Sequence, residues 1–203
     1  MRKIILLTFV SLDGVVQAPG GPDEDTSGGF KYGGWTFPYF DEFLGDVMGQ
    51  QMGHQFDLLL GRKTYDIFAS FWPHQDEKIN PGAASLNKAK KYVVSHNDFK
   101  LDWANSVLIK DNVVEELKKL KQQGGPELQV HGSSNLIQTL LTNDLVDELW
   151  LKIFPVTIGS GKRLFGEGTI PEAFTLAETK ASPKGVIVAN FKRAGEIKTG
   201  SFS

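Results

Sequence analysis

Apolar positions fall into two spacings along this chain, and the balance between them shifts toward its end. Ile4-Ile5-Leu6-Leu7-Thr8-Phe9-Val10 is apolar on both faces, the mark of a strand buried between two layers. Ser11-Leu12-Asp13-Gly14 ends it. Gln17 to Gly34 is rich in Gly, Pro and Asp and reads as a long surface loop, a length usually kept for function or disorder. From Tyr39 to Gln55, Phe40, Phe43, Leu44, Val47, Met48 and Met52 recur at helical spacing, with Gly45, Gly49 and Gly53 on one face where a neighbour can pack closely. Asp57 to Leu60 predicts a short buried strand, and Lys63 to Phe71 a helix ended by Trp72-Pro73. Ala83 to Ala89 reads as another short helix, and Tyr92-Val93-Val94-Ser95 and Val107 to Ile109 as strands. Asn112-Val113-Val114-Glu115 has capping-box spacing and opens a helix with Val113, Leu117 and Leu120 on one side. Gly124-Gly125-Pro126 stops it. Leu128 to Val130 is a further strand, and Ser134 to Leu141 a helix with Leu136, Ile137, Leu140 and Leu141 inward.

The last third is rich in strands. Glu148 to Phe154 alternates Leu149, Leu151 and Ile153 against Trp150, Lys152 and Phe154. Phe174 to Thr179 and Val186 to Phe191 flank Ser182-Pro183-Lys184-Gly185, a strong turn signal. The order predicts an α/β fold: a mixed, mostly parallel sheet flanked by helices, with antiparallel C-terminal strands at one edge. No internal boundary is visible, so residues 1–194 read as one domain and 195–203 as a loose tail.

Two apolar runs stop at a glycine just before a helix start: Leu58-Leu59-Leu60-Gly61-Arg62-Lys63-Thr64 and Leu128-Gln129-Val130-His131-Gly132-Ser133-Ser134-Asn135. A helix start offers unpaired N–H groups and a partial positive charge, and glycine lets a ligand come close to the backbone. Arg62 and Lys63 add two cations that oppose the helix dipole unless an anion lies beside them. Two such junctions suit a ligand with more than one phosphate, such as a dinucleotide, bound on opposite sides of a cleft.

Composition narrows the alternatives. A net charge of −2 over 203 residues implies no basic face, so no nucleic-acid partner is expected. The absence of cysteine removes disulfides, thiol nucleophiles and Cys-zinc sites, and fits a cytoplasmic protein. His54, His74 and His96 lack ligand spacing, so no metal is assigned, and His131 reads as a hydrogen-bonded structural residue. No apolar segment has membrane-spanning length, so no membrane partner is expected.

Six ordered stretches carry a family resemblance: Ser11-Leu12-Asp13-Gly14, Leu58 to Tyr65, Tyr92 to Ser95, Val130-His131-Gly132-Ser133, Leu145 to Leu149, and Pro155 to Gly161 with Leu164-Phe165. Together they resemble the dihydrofolate reductase-like superfamily, and more closely the stand-alone RibD C-terminal (riboflavin-biosynthesis reductase-like) proteins. The resemblance implies an NADPH-dependent reductase acting on a small pterin-, pyrimidine- or carbonyl-like substrate. It implies cofactor phosphates at Gly61, Arg62, Lys63 and Thr64, and the adenosine-ribose phosphate near Ser95 and His96. It places the pyrophosphate at Gly132, Ser133, Ser134 and Asn135, and the nicotinamide at Phe9 and Val10. Asp13 and Asp41 are the candidate proton donors, and Trp35 and Gly159 are candidate substrate contacts.

This chain departs from the family in three respects. Gly132-Ser133 stands in place of Gly-Gly, which leaves open whether that peptide is cis. The zinc deaminase motif of the bifunctional riboflavin enzymes is absent, which excludes that reaction here. Asp41 follows Trp35 and Pro38 one position later than the folate-reductase carboxylate, which turns it by about 100° on a helix. The Gly132-Ser133 change and the shifted carboxylate position support a second reading, a non-catalytic nucleotide-binding or oligomeric module of the same fold. Apolar residues on both faces of Glu148 to Phe154 suggest a homodimer.

Overall fold

The computed structural model describes residues 1–202. Its strands are β1 (Ile4–Ser11), β2 (Phe56–Gly61), β3 (Lys91–Val94), β4 (Ser106–Ile109), β5 (Glu127–Val130), β6 (Glu148–Phe154), β7 (Ala173–Ala181) and β8 (Ile187–Gly195). Its helices are α1 (Glu42–Gln51), α2 (Arg62–Phe71), α3 (Pro81–Lys88), α4 (Val113–Gln122) and α5 (Ser134–Thr142). The strands form one eight-stranded sheet in the order β4-β3-β2-β5-β1-β6-β8-β7. β1 to β6 pair in parallel, and β8 and β7 run antiparallel at one edge. The alternating βα order and the terminal hairpin predicted from the sequence are therefore present.

Side-chain alternation divides the core between the two faces of the sheet. Ile4, Leu6 and Val10 of β1 join Leu117 and Leu120 of α4 and Leu136, Ile137 and Leu140 of α5. On the other face Leu44 and Val47 of α1 pack with Phe154 and Val188, while Leu58 and Leu60 meet Tyr65 and Leu86. β5 enters the slot between β2 and β1, so the carboxyl ends of all three open at the same edge. In open α/β sheets, ligands bind at such switch points.

Several expectations are corrected. α1 is shorter than Tyr39 to Gln55, because Asp41 caps its start by accepting from Leu44 N at 3.0 Å. Its glycines do not support close packing, since a Cβ at Gly45 or Gly49 would face open space. Asn112 takes a left-handed backbone, φ 48°, without a side-chain cap, so the predicted capping box does not form. The two-faced apolarity of Glu148 to Phe154 is that of an interior strand, with Phe154 fully buried. The described residues beyond Gly195 hold no helix or strand.

Candidate active site

The two glycine junctions are adjacent, not on opposite sides of a cleft, because β2 and β5 are neighbours in the sheet. Gly61 N donates to Gly132 O at 3.1 Å. A Cβ on Gly61 would lie 2.1 Å from Ser133 Oγ, and one on Gly132 would lie 2.5 Å from Thr64 Oγ1. Only glycine allows this approach, and Gly132 also has φ +152°. The Gly132–Ser133 peptide is cis, which answers the question the sequence left open. Neither α2 nor α5 has a side-chain cap, and neither has an acidic residue in its first turn. Two helix starts with free N–H groups therefore stand side by side.

Both open on a cavity of about 640 Å³, within the range of small-molecule sites. Lys63, Thr64, Gly132, Ser133, Ser134 and Asn135 form one end of its lining. Phe9, Met48, Met52 and Phe68 contribute apolar wall, and Gln51, His131 and Lys152 contribute polar groups. The loop after β1 lines the cavity from Val16 to Asp25. Asp25 fastens it, accepting from Lys63 Nζ at 2.6 Å and Lys162 Nζ at 2.7 Å. These bonds offset the cost of burial and hold the Asp25 carboxyl well below the usual range.

The remaining residues singled out from the sequence lie outside this cavity. Arg62 Nε bonds the Asp66 carboxylate at 2.7 and 2.8 Å, and its guanidinium lies 3.6 Å from the Phe99 ring centroid. Ser95 follows β3, beside β2, and its hydroxyl donates to Asn97 O at 2.9 Å, with His96 exposed next to it. Arg62, Ser95 and His96 thus share the β2–β3 end of the same sheet edge. Val10 is buried with the α5 side of the core. Trp35 is buried too, its Nε1 donating to Gln17 O at 2.8 Å and its ring 5.4 Å from Phe154. Asp41 is occupied as a helix cap, and the bond from Leu44 N lowers its carboxyl.

Asp13 and Gly159 meet each other. The Asp13 carboxylate accepts from Ser11 Oγ at 2.6 Å, Gly159 N at 2.7 Å and Ile158 N at 3.1 Å. Led by the Ser11 bond, these donors bring its pKa down to about 2. Asp13 is thus ionised near neutrality and a poor proton donor, and it ties the loop after β1 to the segment after β6.

The sequence reading missed Lys152 and Gln51. Lys152 Nζ donates to Gln51 Oε1, and burial lowers its pKa to about 7. His131 Nε2 is buried and has no hydrogen-bond partner among the described residues, and desolvation, with Lys152 second, lowers its pKa to about 3. A lysine between Trp150 and Phe154 on one strand face was the available signal: a cation flanked by aromatics on that face is poorly placed for solvent.

The model of the RibD C-terminal domain matches residues 2–188, and the chain belongs to that family. It is 29% identical over 189 residues to the uncharacterized protein YyaP of Bacillus subtilis (strain 168), covering 92% of each chain. A pyrimidine reductase-like protein of Corynebacterium diphtheriae superposes with a TM-score of 0.62 at 14% identity, over 96% of this chain and 93% of that one. Dihydrofolate reductase of Enterococcus faecalis complexed with NADP(H) superposes with a TM-score of 0.56 at 13% identity, over 94% of this chain and 96% of that one. The fold is thus dihydrofolate reductase-like, and its family is associated with reductases. Among the described residues no helix is long and apolar enough to cross a membrane, and no group of three or more His, Cys, Asp or Glu is placed to hold a metal.

Proposed function

We propose that this protein is an NADPH-dependent reductase of a small molecule. The observation that carries this reading is the pair of abutting, uncapped helix starts beside Lys63, opening on one cavity at the switch point of the sheet. Free N–H groups, a glycine cradle that no Cβ could enter and a lysine suit a pyrophosphate. The Enterococcus faecalis reductase of the same fold is complexed with NADP(H), which supports this cofactor class.

In this reading Thr64, Gly132, Ser133, Ser134 and Asn135 bind the pyrophosphate, with Lys63 as the countercharge. Arg62, Ser95 and His96, at the β2–β3 end of that edge, bind the adenosine-ribose phosphate. Bound NADPH supplies hydride. Phe9 shields the reacting end from water, and the loop from Val16 to Asp25 covers it. Met48, Met52 and Phe68 bound the space left for a compact, flat substrate.

Calorimetric titration tests this reading. NADPH binds with a Kd of micromolar order, and no heat of binding overturns the proposal. Arg62→Ala weakens NADPH by about tenfold, near 1.4 kcal/mol, and NADH by much less. Equal losses for both dinucleotides would remove Arg62 from recognition of the extra phosphate.

A further inference from the structure

The cavity contains a cation that cofactor binding does not use. Lys152 lies opposite Phe9 in the β1–β6 register and on the strand face shared by Trp150 and Phe154. The residue is 3% exposed, yet it lines the cavity. Its ammonium has one hydrogen-bond partner among the described residues, the side-chain amide oxygen of Gln51 at the end of α1. Gln51 is itself fixed, because its backbone carbonyl accepts from Gln129 Nε2 at 2.9 Å.

Among the described residues no carboxylate pairs with it, although Asp23, Glu24 and Asp25 of the loop after β1 line the same cavity, Asp25 already bonded to Lys63 and Lys162. β1 places Phe9 with its ring centroid 6.0 Å from Lys152 Nζ, and β8 places Val188 opposite in register. His131, the residue after β5, is held neutral by burial, and α1 contributes uncharged Gln51. Glu148, on the same strand, is engaged by Lys3 Nζ at 2.7 Å and Trp150 Nε1 at 3.0 Å. An ammonium has three N–H donors and Gln51 takes one. Burying a cation without an anionic partner is costly, so a fold that retains one beside a cavity has a use for its remaining donors.

We propose that Lys152, oriented by Gln51, is the acid that faces substrate in this cavity. Its ammonium holds the oxygen or nitrogen of a conjugated C=O or C=N bond, and protonates that atom as the adjoining carbon is reduced. The inference rests on the reductase reading and adds a substrate class: flat, uncharged or anionic compounds with such an acceptor, and not cations. The reduced bond gains hydride on carbon, supplied by the cofactor, and one proton on the heteroatom, supplied by Lys152 Nζ. Lys152 is left as a neutral amine and recovers its proton from solvent. A titration near neutrality suits this exchange.

Two measurements on the full chain separate this inference from the reading beneath it. Calorimetry on wild type and Lys152→Met tests the cofactor: NADPH binds both within about threefold, and a wild type that binds none overturns the reductase reading. Labelling with 2,4,6-trinitrobenzenesulfonate, which attacks neutral amines, tests Lys152 without turnover. Peptide mapping shows Lys152 modified at neutral pH ahead of the surface lysines, with a rate that rises through a pKa of about 7. Lys152 left unlabelled, or labelled only at strongly alkaline pH, overturns the proposal. With isatin as acceptor, a flat compound whose conjugated ketone takes hydride on carbon and a proton on oxygen, NADPH oxidation falls as pH rises through the same range. Lys152→Met and Lys152→Arg lose this rate by about a hundredfold while their circular dichroism and melting stay cooperative. A Met variant with the wild-type rate and pH profile also overturns the proposal. Where isatin is not reduced, the labelling result decides.

Discussion

At the residue scale, Lys152 should weaken the fold that carries it. Its folded pKa of about 7 lies below the ordinary lysine value of 10.5 because burial disfavours the charged form. Between those values the unfolded chain binds the proton and the folded chain does not, so stability rises with pH across the window. Below it both states are protonated and the penalty is fully present. Lys152→Met removes the penalty, so the variant is more stable than wild type at pH 6 by on the order of a few kcal/mol. The advantage shrinks steadily toward pH 10, as urea unfolding at a series of pH values will show. A variant that is less stable at pH 6 would mean that the ammonium is better solvated than its burial suggests. The sequence hid this residue for a physical reason. In an alternating strand a lysine reads as solvent-facing, but β6 is internal and α1 covers that face. Asp13 illustrates the reverse case. An Asp-Gly pair after a strand carries no local sign of its partners, and the donors that occupy the Asp13 carboxylate come from Ile158 and Gly159, far along the chain.

At the element scale, the site is a junction between two βα units, and its tolerance is set by the gap between them. Gly61→Ala places a Cβ 2.1 Å from Ser133 Oγ and 3.1 Å from Ser133 N, so α5 must move relative to β2. Such a clash costs about 1–3 kcal/mol, seen as a lower urea midpoint, and weakens NADPH binding because both helix starts shift. Ser133→Gly removes the nearest obstacle, so the double variant recovers part of the lost stability. The backbone nitrogen remains close, which keeps the recovery incomplete. Strictly additive effects would show that the two residues do not meet. Periodicity and the glycine punctuation located β2, α2, β5 and α5 to within a few residues. Their contact was not legible, because adjacency of β2 and β5 depends on strand order, which local patterns do not encode. The same limit explains α1: apolar spacing continues past both of its ends, while the Asp41 cap fixes where the helix begins.

At the scale of the whole molecule, the cavity lies at the carboxyl ends of β1 and β5, walled by α1 and α2, and the loop after β1 joins α2 to the segment after β6. Asp25 carries that join. Its carboxylate is 12% exposed and binds Lys63 in the first turn of α2 and Lys162 in the segment between β6 and β7. Lys63 also belongs to the proposed phosphate site, so Asp25 and a cofactor phosphate compete for one ammonium. Each ion pair has a solvent-exposed lysine, which limits its worth to about 1 kcal/mol or less. A latch of that strength can hold the loop closed and still release it when a phosphate arrives. Asp25→Asn keeps the shape and removes the charge. The variant loses about 1–2 kcal/mol of stability, and stopped-flow fluorescence shows NADPH entering and leaving faster than in wild type. Added salt screens the native pairs and moves the wild-type rates toward those of the variant, which itself responds less. Identical rates for the two proteins at low salt would show that the loop does not govern access, and Asp25 would then be only a brace between α2 and the segment after β6.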